Sequence, residues 1–281
     1  MASHEIRPDQ SVELLKALHI LTRDGKLNQD SRRKLKQVYH LFQFIEPLLK
    51  EVQEASGQVR LVDHGAGKSY LGFILYDLFF KHHHDASHVY SIETRQALVE
   101  SATDLARRAG FKRMSFLNLS VADSIHSPLL PESVDVVTAL HACNTATDDA
   151  IRFGLHKKAQ HIVLVPCCQA EVAGLLRQKK ASALGAGALA ELWRHPLHTR
   201  EFGSQATNVL RTLQLQAHGY QVTVTELVGW EHSLKNELII ASYRNAPRRA
   251  PAERLRNLLN MLGLDEMQDR FFVPGEHPAK A

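Results

Sequence analysis

The stretch Leu61–Gly72, LVDHGAGKSYLG, places glycines, a lysine and a serine between an apolar run and a helix-forming one. Glycines at such a junction let backbone approach a ligand closely. Three loops share the design: a phosphate-binding P-loop, a dinucleotide loop and the loop that holds a sulfonium methyl donor. A P-loop requires G-x-x-x-x-G-K-[ST]. With Gly67-Lys68-Ser69 as its end, its first glycine would fall on Val62, inside the strand, so the spacing excludes it. A dinucleotide fingerprint, G-x-G-x-x-G, would put Tyr70 at the third glycine, where a ring obstructs close helix packing. What remains is D-x-G-x-G, formed by Asp63, Gly65, Ala66 and Gly67. A carboxylate at the strand tip can accept a hydrogen bond from the cationic amino group of a methionine moiety. Glu93, at the end of the next strand-like run, is placed for ribose hydroxyls. Asp123 follows the third such run and suits an adenine amino group or, equally, a helix N-terminus.

Positioning these residues takes strands that alternate with helices. VRLVD, HVYSIE, MSFLNLS, VDVVTAL and HIVLVPCC read as five strands. SYLGFILYDLFFKHH, RQALVESATDLARRAG and DDAIRFGLHKKA read as helices between them, the second ending at Gly110 as a C-cap. YQVTVTELVGW and NELIIASYR follow as two strands whose connection, EHSLK, is too short for a crossover helix. They must therefore pair antiparallel. The expected architecture is α/β: a mostly parallel seven-stranded sheet, its last strand antiparallel, with helices on both faces. Residues 1–55 read as an N-terminal helical extension, 56–246 as the main domain with a helical insertion at 171–215, and 247–281 as a basic tail with a short helix. In the extension Leu35, Val38, Leu41, Phe42, Ile45, Leu48 and Leu49 recur at helical spacing, and Arg32, Arg33, Lys34 and Lys36 occupy the other face.

In open α/β sheets ligands gather beyond the carboxyl ends of the strands. The fourth strand ends in LHACNTATDDA and the fifth in VPCCQAE, so His141, Asn144, Asp148, Cys167, Cys168 and Gln169 fall on that edge with all three cysteines of the chain. Together VDHGAGKSYLGFIL, LHACNTATDDA, PCCQAEV and HSLKNELIIA resemble a family of class I S-adenosylmethionine-dependent methyltransferases. The fourth- and fifth-strand motifs are more distantly similar to eukaryotic tRNA 2′-O-methyltransferases. The resemblance spans roughly Leu35 to Tyr243 and implies a Rossmann-like class I sheet and S-adenosyl-L-methionine as cofactor. It implies Asp63, Gly65, Ala66, Gly67, Tyr70, Glu93, Asp123 and His141 as cofactor-binding residues. His141, Asn144 and Asp148 are expected at the reacting centre, with His141 or Asp148 as base for an oxygen or nitrogen acceptor. Cys167, Cys168, Gln169, Lys235 and Asn236 are expected to face the acceptor. Ser69 and Asn144 depart from the family pattern, which has glycine and Asp or Gly there, and Leu234 stands where the family has proline.

Composition narrows the class further. Across 281 residues, 44% hydrophobic and 23% charged, no apolar run approaches membrane-spanning length, and the polar start has no signal-like core. Three cysteines, two of them adjacent, suit a reducing compartment, and a cytoplasmic protein is expected. The net charge of +4 permits RNA as acceptor, with Arg32, Arg33, Lys34, Lys36, Lys179, Lys180, Arg248 and Arg249 as candidate phosphate contacts. Small-molecule or protein acceptors, and a non-catalytic binding domain, stand as alternatives; the oligomeric state is open. His141, Cys143, Cys167 and Cys168 could supply soft ligands, but adjacent cysteines rarely reach one tetrahedral ion, and no metal is expected.

Overall fold

The computed structural model describes residues 6–7, 9–83, 86–140, 145–166, 169–179, 188–227, 237–245 and 249–272. The N-terminal extension, read from the sequence as helical, forms two helices, α1 (Val12–Ala17) and α2 (Gln29–Ser56). The break is local chemistry. Gly25 takes a left-handed turn (φ 74°), and Asn28 caps α2 by accepting from the Ser31 N–H at 2.8 Å. Helix α2 buries Leu35, Val38, Phe42, Ile45, Leu49 and Val52, the stripe its spacing predicts.

Strand β1 (Arg60–His64) leads through the glycine loop into α3 (Tyr70–Leu78). Then come β2 (His88–Glu93), α4 (Gln96–Ala109) and β3 (Met114–Asn118). A short α5 (Val121–His126), which the sequence reading lacks, precedes β4 (Val136–Leu140), α6 (Ala146–His156) and β5 (His161–Val165). The insertion holds α7 (Glu171–Gln178) and the long α8 (Pro196–Ala217), which returns the chain to β6 (Tyr220–Glu226) and β7 (Glu237–Tyr243). Helices α9 (Arg249–Met261) and α10 (Gln268–Phe271) follow.

Among the described residues, seven strands form one sheet in the order β3-β2-β1-β4-β5-β7-β6. The first five pair in parallel; β7 lies between β5 and β6 and is antiparallel to both. This is the Rossmann-like class I sheet that the resemblance implies. Chain direction between β1 and β4 reverses the winding, so the carboxyl ends of these neighbours open a crevice where ligands of open α/β sheets bind.

Alternate residues of the strands feed two cores. Leu61, Val89 and Val136 face α2, α3 and α4; Val62, Ile92 and Val137 face α6 and Leu215 of α8. A third core joins α7 and α8 to the chain's last helices through Val172, Leu176, Trp193, Leu210, Leu255, Leu259 and Phe271. The C-terminal segment through Phe271 is thus anchored to the insertion by buried side chains.

Candidate functional site

The glycine loop takes its shape from three successive left-handed residues in alternate positions. Gly65 (φ 64°), Gly67 (φ 58°) and Ser69 (φ 55°) all lie where Cβ is disfavoured. Ser69 is the unusual one. Its hydroxyl is buried 2.5 Å from that of Ser91 on β2, an interaction a glycine cannot make. Gly72, one turn into α3, has no room for a side chain, because a Cβ there would meet Ser69 Oγ at 2.8 Å and Ser91 Oγ at 3.1 Å. Ser69, Ser91 and Gly72 therefore form a fitted set beneath the loop.

Asp63 closes this cluster at the tip of β1. Its Oδ1 accepts from Thr138 Oγ1 of β4 at 2.9 Å, and the Gly72 N–H also donates to the carboxyl. Burial pushes its pKa up to about 7, against the lowering effect of those two bonds. Both partners are neutral, so the carboxylate suits an incoming cation. Glu93, at the tip of β2, accepts the Gly67 N–H at 2.8 Å and the Arg95 N–H at 3.0 Å. Arg95 also grips it through Nε (2.8 Å) and Nη2 (3.2 Å). Burial alone would raise Glu93; the Arg95 guanidinium and the two N–H groups outweigh it and hold the carboxyl below the usual range.

Beside the loop lies a cavity of about 430 Å³. Asp63, Ala66 and Tyr70 form its loop side, Leu140 and Leu227 come from the ends of β4 and β6, and α2 supplies Lys34, Gln37, Val38 and Leu41. Burial raises the Tyr70 hydroxyl far above its ordinary pKa, so it is a neutral donor there. On the other side of β1, His64 is 4% exposed, packs on the Phe153 ring at 5.5 Å, and has no hydrogen-bond partner for either ring nitrogen among the described residues. Burial lowers its pKa to about 4, which keeps it neutral.

Beyond β4 and β5 a buried polar network ties the edge together. Arg211 of α8 is fully buried and donates Nε and Nη2 to the two oxygens of Asp148 at 2.7 and 2.9 Å. Its Nη1 reaches Asn208 Oδ1 at 3.2 Å, and Asn208 donates to Glu237 at the start of β7 at 2.7 Å. Gln169, just after β5, is buried with its amide 3.5 Å from Asn208 Oδ1. One helix thus joins residues from both motifs that the sequence puts on this edge to the start of β7.

A family model described as a methyltransferase domain matches residues 33–174, half of the chain. The chain belongs to this family. It is a methyltransferase, with S-adenosyl-L-methionine as methyl donor. Its fold is similar to that of an rRNA methylase from Streptococcus thermophilus (11% identity, 71% of this chain and 94% of that one, TM-score 0.44). It is similar as well to magnesium protoporphyrin IX methyltransferase from Synechocystis PCC 6803 with bound S-adenosylhomocysteine (14%, 83% and 93%, 0.42). A third similar structure is an S-adenosylhomocysteine-bound methyltransferase from Podospora anserina (10%, 86% and 91%, 0.45). No curated protein matches the chain in sequence.

In this methyltransferase the loop residues Asp63, Gly65, Ala66, Gly67, Tyr70 and Glu93 meet at one end of β1 and β2, as their sequence order suggests. One expectation is corrected, and for Asp123 the helix N-terminus is the alternative that the structure favours. Both oxygens of Asp148 are taken by Arg211, so its carboxylate is held in an ion pair and is not poised as a base. Asp123 is exposed and bonded to Ser120, whose hydroxyl accepts the Asp123 N–H at 3.2 Å and donates to its Oδ2; it serves the N-terminus of α5. Lys179, a candidate phosphate contact, is bound to Glu266 and the Gly263 carbonyl. His141, Cys143, Asn144, Cys167, Cys168, Lys180, Lys235, Asn236 and Arg248 lie outside the described residues, as does the side chain of Arg249. Sequence reasoning missed Arg211, Asn208 and His64. For Arg211 a signal exists: it interrupts the buried positions Thr207, Leu210, Gln214 and Leu215 of α8.

Proposed function

We propose that this methyltransferase acts on RNA, at an oxygen or a nitrogen of the acceptor. The observation that carries the reading is the make-up of α2. Exposed Arg32 and Lys36 stand on the helix whose Lys34, Gln37, Val38 and Leu41 wall the cavity at the glycine loop. A phosphate chain on the basic face would bring an unstacked base or ribose to the cavity mouth.

The residues fit the donor. Asp63, buried and held by neutral groups, would take the ammonium of the methionine moiety; Gly65 and Gly67 give its backbone room; Glu93 would take ribose hydroxyls as Arg95 yields. When bound, S-adenosylmethionine supplies an electrophilic methyl on a sulfonium. The chain's contribution is alignment of the acceptor for in-line displacement. Leu140 and Leu227 give the cavity an apolar wall. With Asp148 committed to Arg211, His141 is assigned the acceptor proton, and Cys167, Cys168, Gln169, Lys235 and Asn236 are assigned to acceptor recognition in this reading. The Asp148–Arg211 pair positions the edge.

The apolar character of the cavity also favours a small ring-bearing acceptor. Tritiated methyl transfer by the full chain to total RNA, total protein and a metabolite extract separates the readings. Label in RNA, with binding that weakens steeply as salt rises, is expected. Label confined to metabolites or protein would overturn the RNA assignment.

A further inference from the structure

The cavity beside the glycine loop is mostly apolar, yet two residues of opposite charge line it from different elements: Asp63 from the tip of β1 and Lys34 from α2. Gln37, one turn along α2, lines it too. An apolar chamber with one anionic and one cationic group is complementary to an α-amino acid zwitterion on a short hydrocarbon stem. Lys34 is not locked in place. It pairs with Asp30 at 2.8 Å and donates to the His19 carbonyl at 2.9 Å, and the pair is open to solvent, 39% and 63% exposed. Exposed pairs of this kind are weak. An ammonium also carries three donors on a flexible stem, so Lys34 can keep one partner while it takes another.

We infer that Lys34 binds the carboxylate of the cofactor's methionine moiety, opposite Asp63 on the ammonium, with Gln37 beside it. This assigns α2 to the donor site and removes Lys34 from the RNA-facing set. It rests on the cofactor reading given above. Apolar Leu18, Val38, Leu41 and Leu140 then enclose the methylene stem, and the N-terminal helices become part of the cofactor site.

The test compares two ligands on the full-length protein by calorimetric titration: S-adenosylhomocysteine, which has the amino-acid tail, and 5′-methylthioadenosine, which lacks it. The wild type should prefer the tailed ligand. Lys34→Met should weaken S-adenosylhomocysteine by about tenfold or more, the loss of a charge-assisted bond, and leave methylthioadenosine within about twofold. Asp30→Asn supplies the second arm. It removes the competing partner, so affinity for S-adenosylhomocysteine should hold or tighten. Equal weakening of both ligands by Lys34→Met, no weakening of either, or a loss in Asp30→Asn matching that in Lys34→Met would each overturn the assignment. A wild type that binds methylthioadenosine but shows no preference for the tail would overturn it while sparing the adenosine site. A wild type that binds neither ligand would overturn the cofactor site itself.

Discussion

The two flanks of the sheet's carboxyl edge hold their charges in opposite ways. On the α6–α8 flank, Asp148 and Arg211 are 6% and 0% exposed and bonded through both carboxylate oxygens. On the α2–loop flank the cations are solvated: Lys34 is 39% exposed, and Arg95 is 67% exposed over a Glu93 that is only 8% exposed. A buried bidentate pair has one low-energy arrangement, since separating it strands a charge in a poor solvent. A pair with one solvated partner exchanges readily, because water takes up what the partner loses. The first flank is therefore built as a fixed wall. The second holds carboxylates in reserve for a ligand that brings its own cations and hydroxyls.

The strongest way to break this contrast is at the fixed wall. Arg211→Ala leaves the Asp148 carboxylate buried without its partner and should cost about 3–5 kcal/mol in denaturant unfolding. Asp148→Leu combined with Arg211→Met should regain much of that, since no charge is left stranded. A double variant as unstable as the single one would mean that packing, and not the unpaired charge, sets the penalty. On the other flank, Glu93→Ala should weaken S-adenosylhomocysteine by about 1–3 kcal/mol in calorimetry, the worth of leaving ligand donors unpaired. Smallest of all is Arg95→Ala. It frees Glu93 from an exposed partner, so affinity should stay within about threefold of the wild type or tighten. A large loss would place Arg95 itself on the ligand.

Much of this contrast was hidden in the sequence, for definable reasons. The strands were legible because each is a short apolar run bounded by polar turns, and β6–β7 because their connection leaves no room for a helix. The loop was legible because Gly65 and Gly67 flank a strand tip that ends in Asp63. Helix α5 was missed since six residues carry no period, so residue type alone left Asp123 open between a ligand and a helix N-terminus. Ser69 was visible as a departure from the family's glycine; its left-handed backbone and its Ser91 partner were not, because the partner lies on another strand. The Arg211 pairing was invisible for the same reason: it spans α8 and α6, and residue type alone does not tell a buried arginine from a solvated one. Lys34 posed the reverse difficulty. Its place in a basic run suggested a solvated face, whereas the turn of α2 brings it to the cavity wall.

In the proposed site Asp63 meets the cofactor's cationic amino group. Its carboxyl, raised to about 7 by burial, is largely protonated in the free protein at mildly acid pH, and an ammonium beside it favours the charged form. Binding must then expel a proton below pH 7, so affinity should rise with pH and level off above it. His64, lowered to about 4, stays neutral across this range and does not enter. The direct measurement is calorimetric titration of S-adenosylhomocysteine between pH 5.5 and 7.5, for the wild type and for Asp63→Asn. Wild-type affinity should rise by up to about tenfold per pH unit on the acid side, with weaker, pH-independent binding in Asp63→Asn. Wild-type affinity that does not change with pH, or an Asp63→Asn variant that binds as the wild type does, would contradict it.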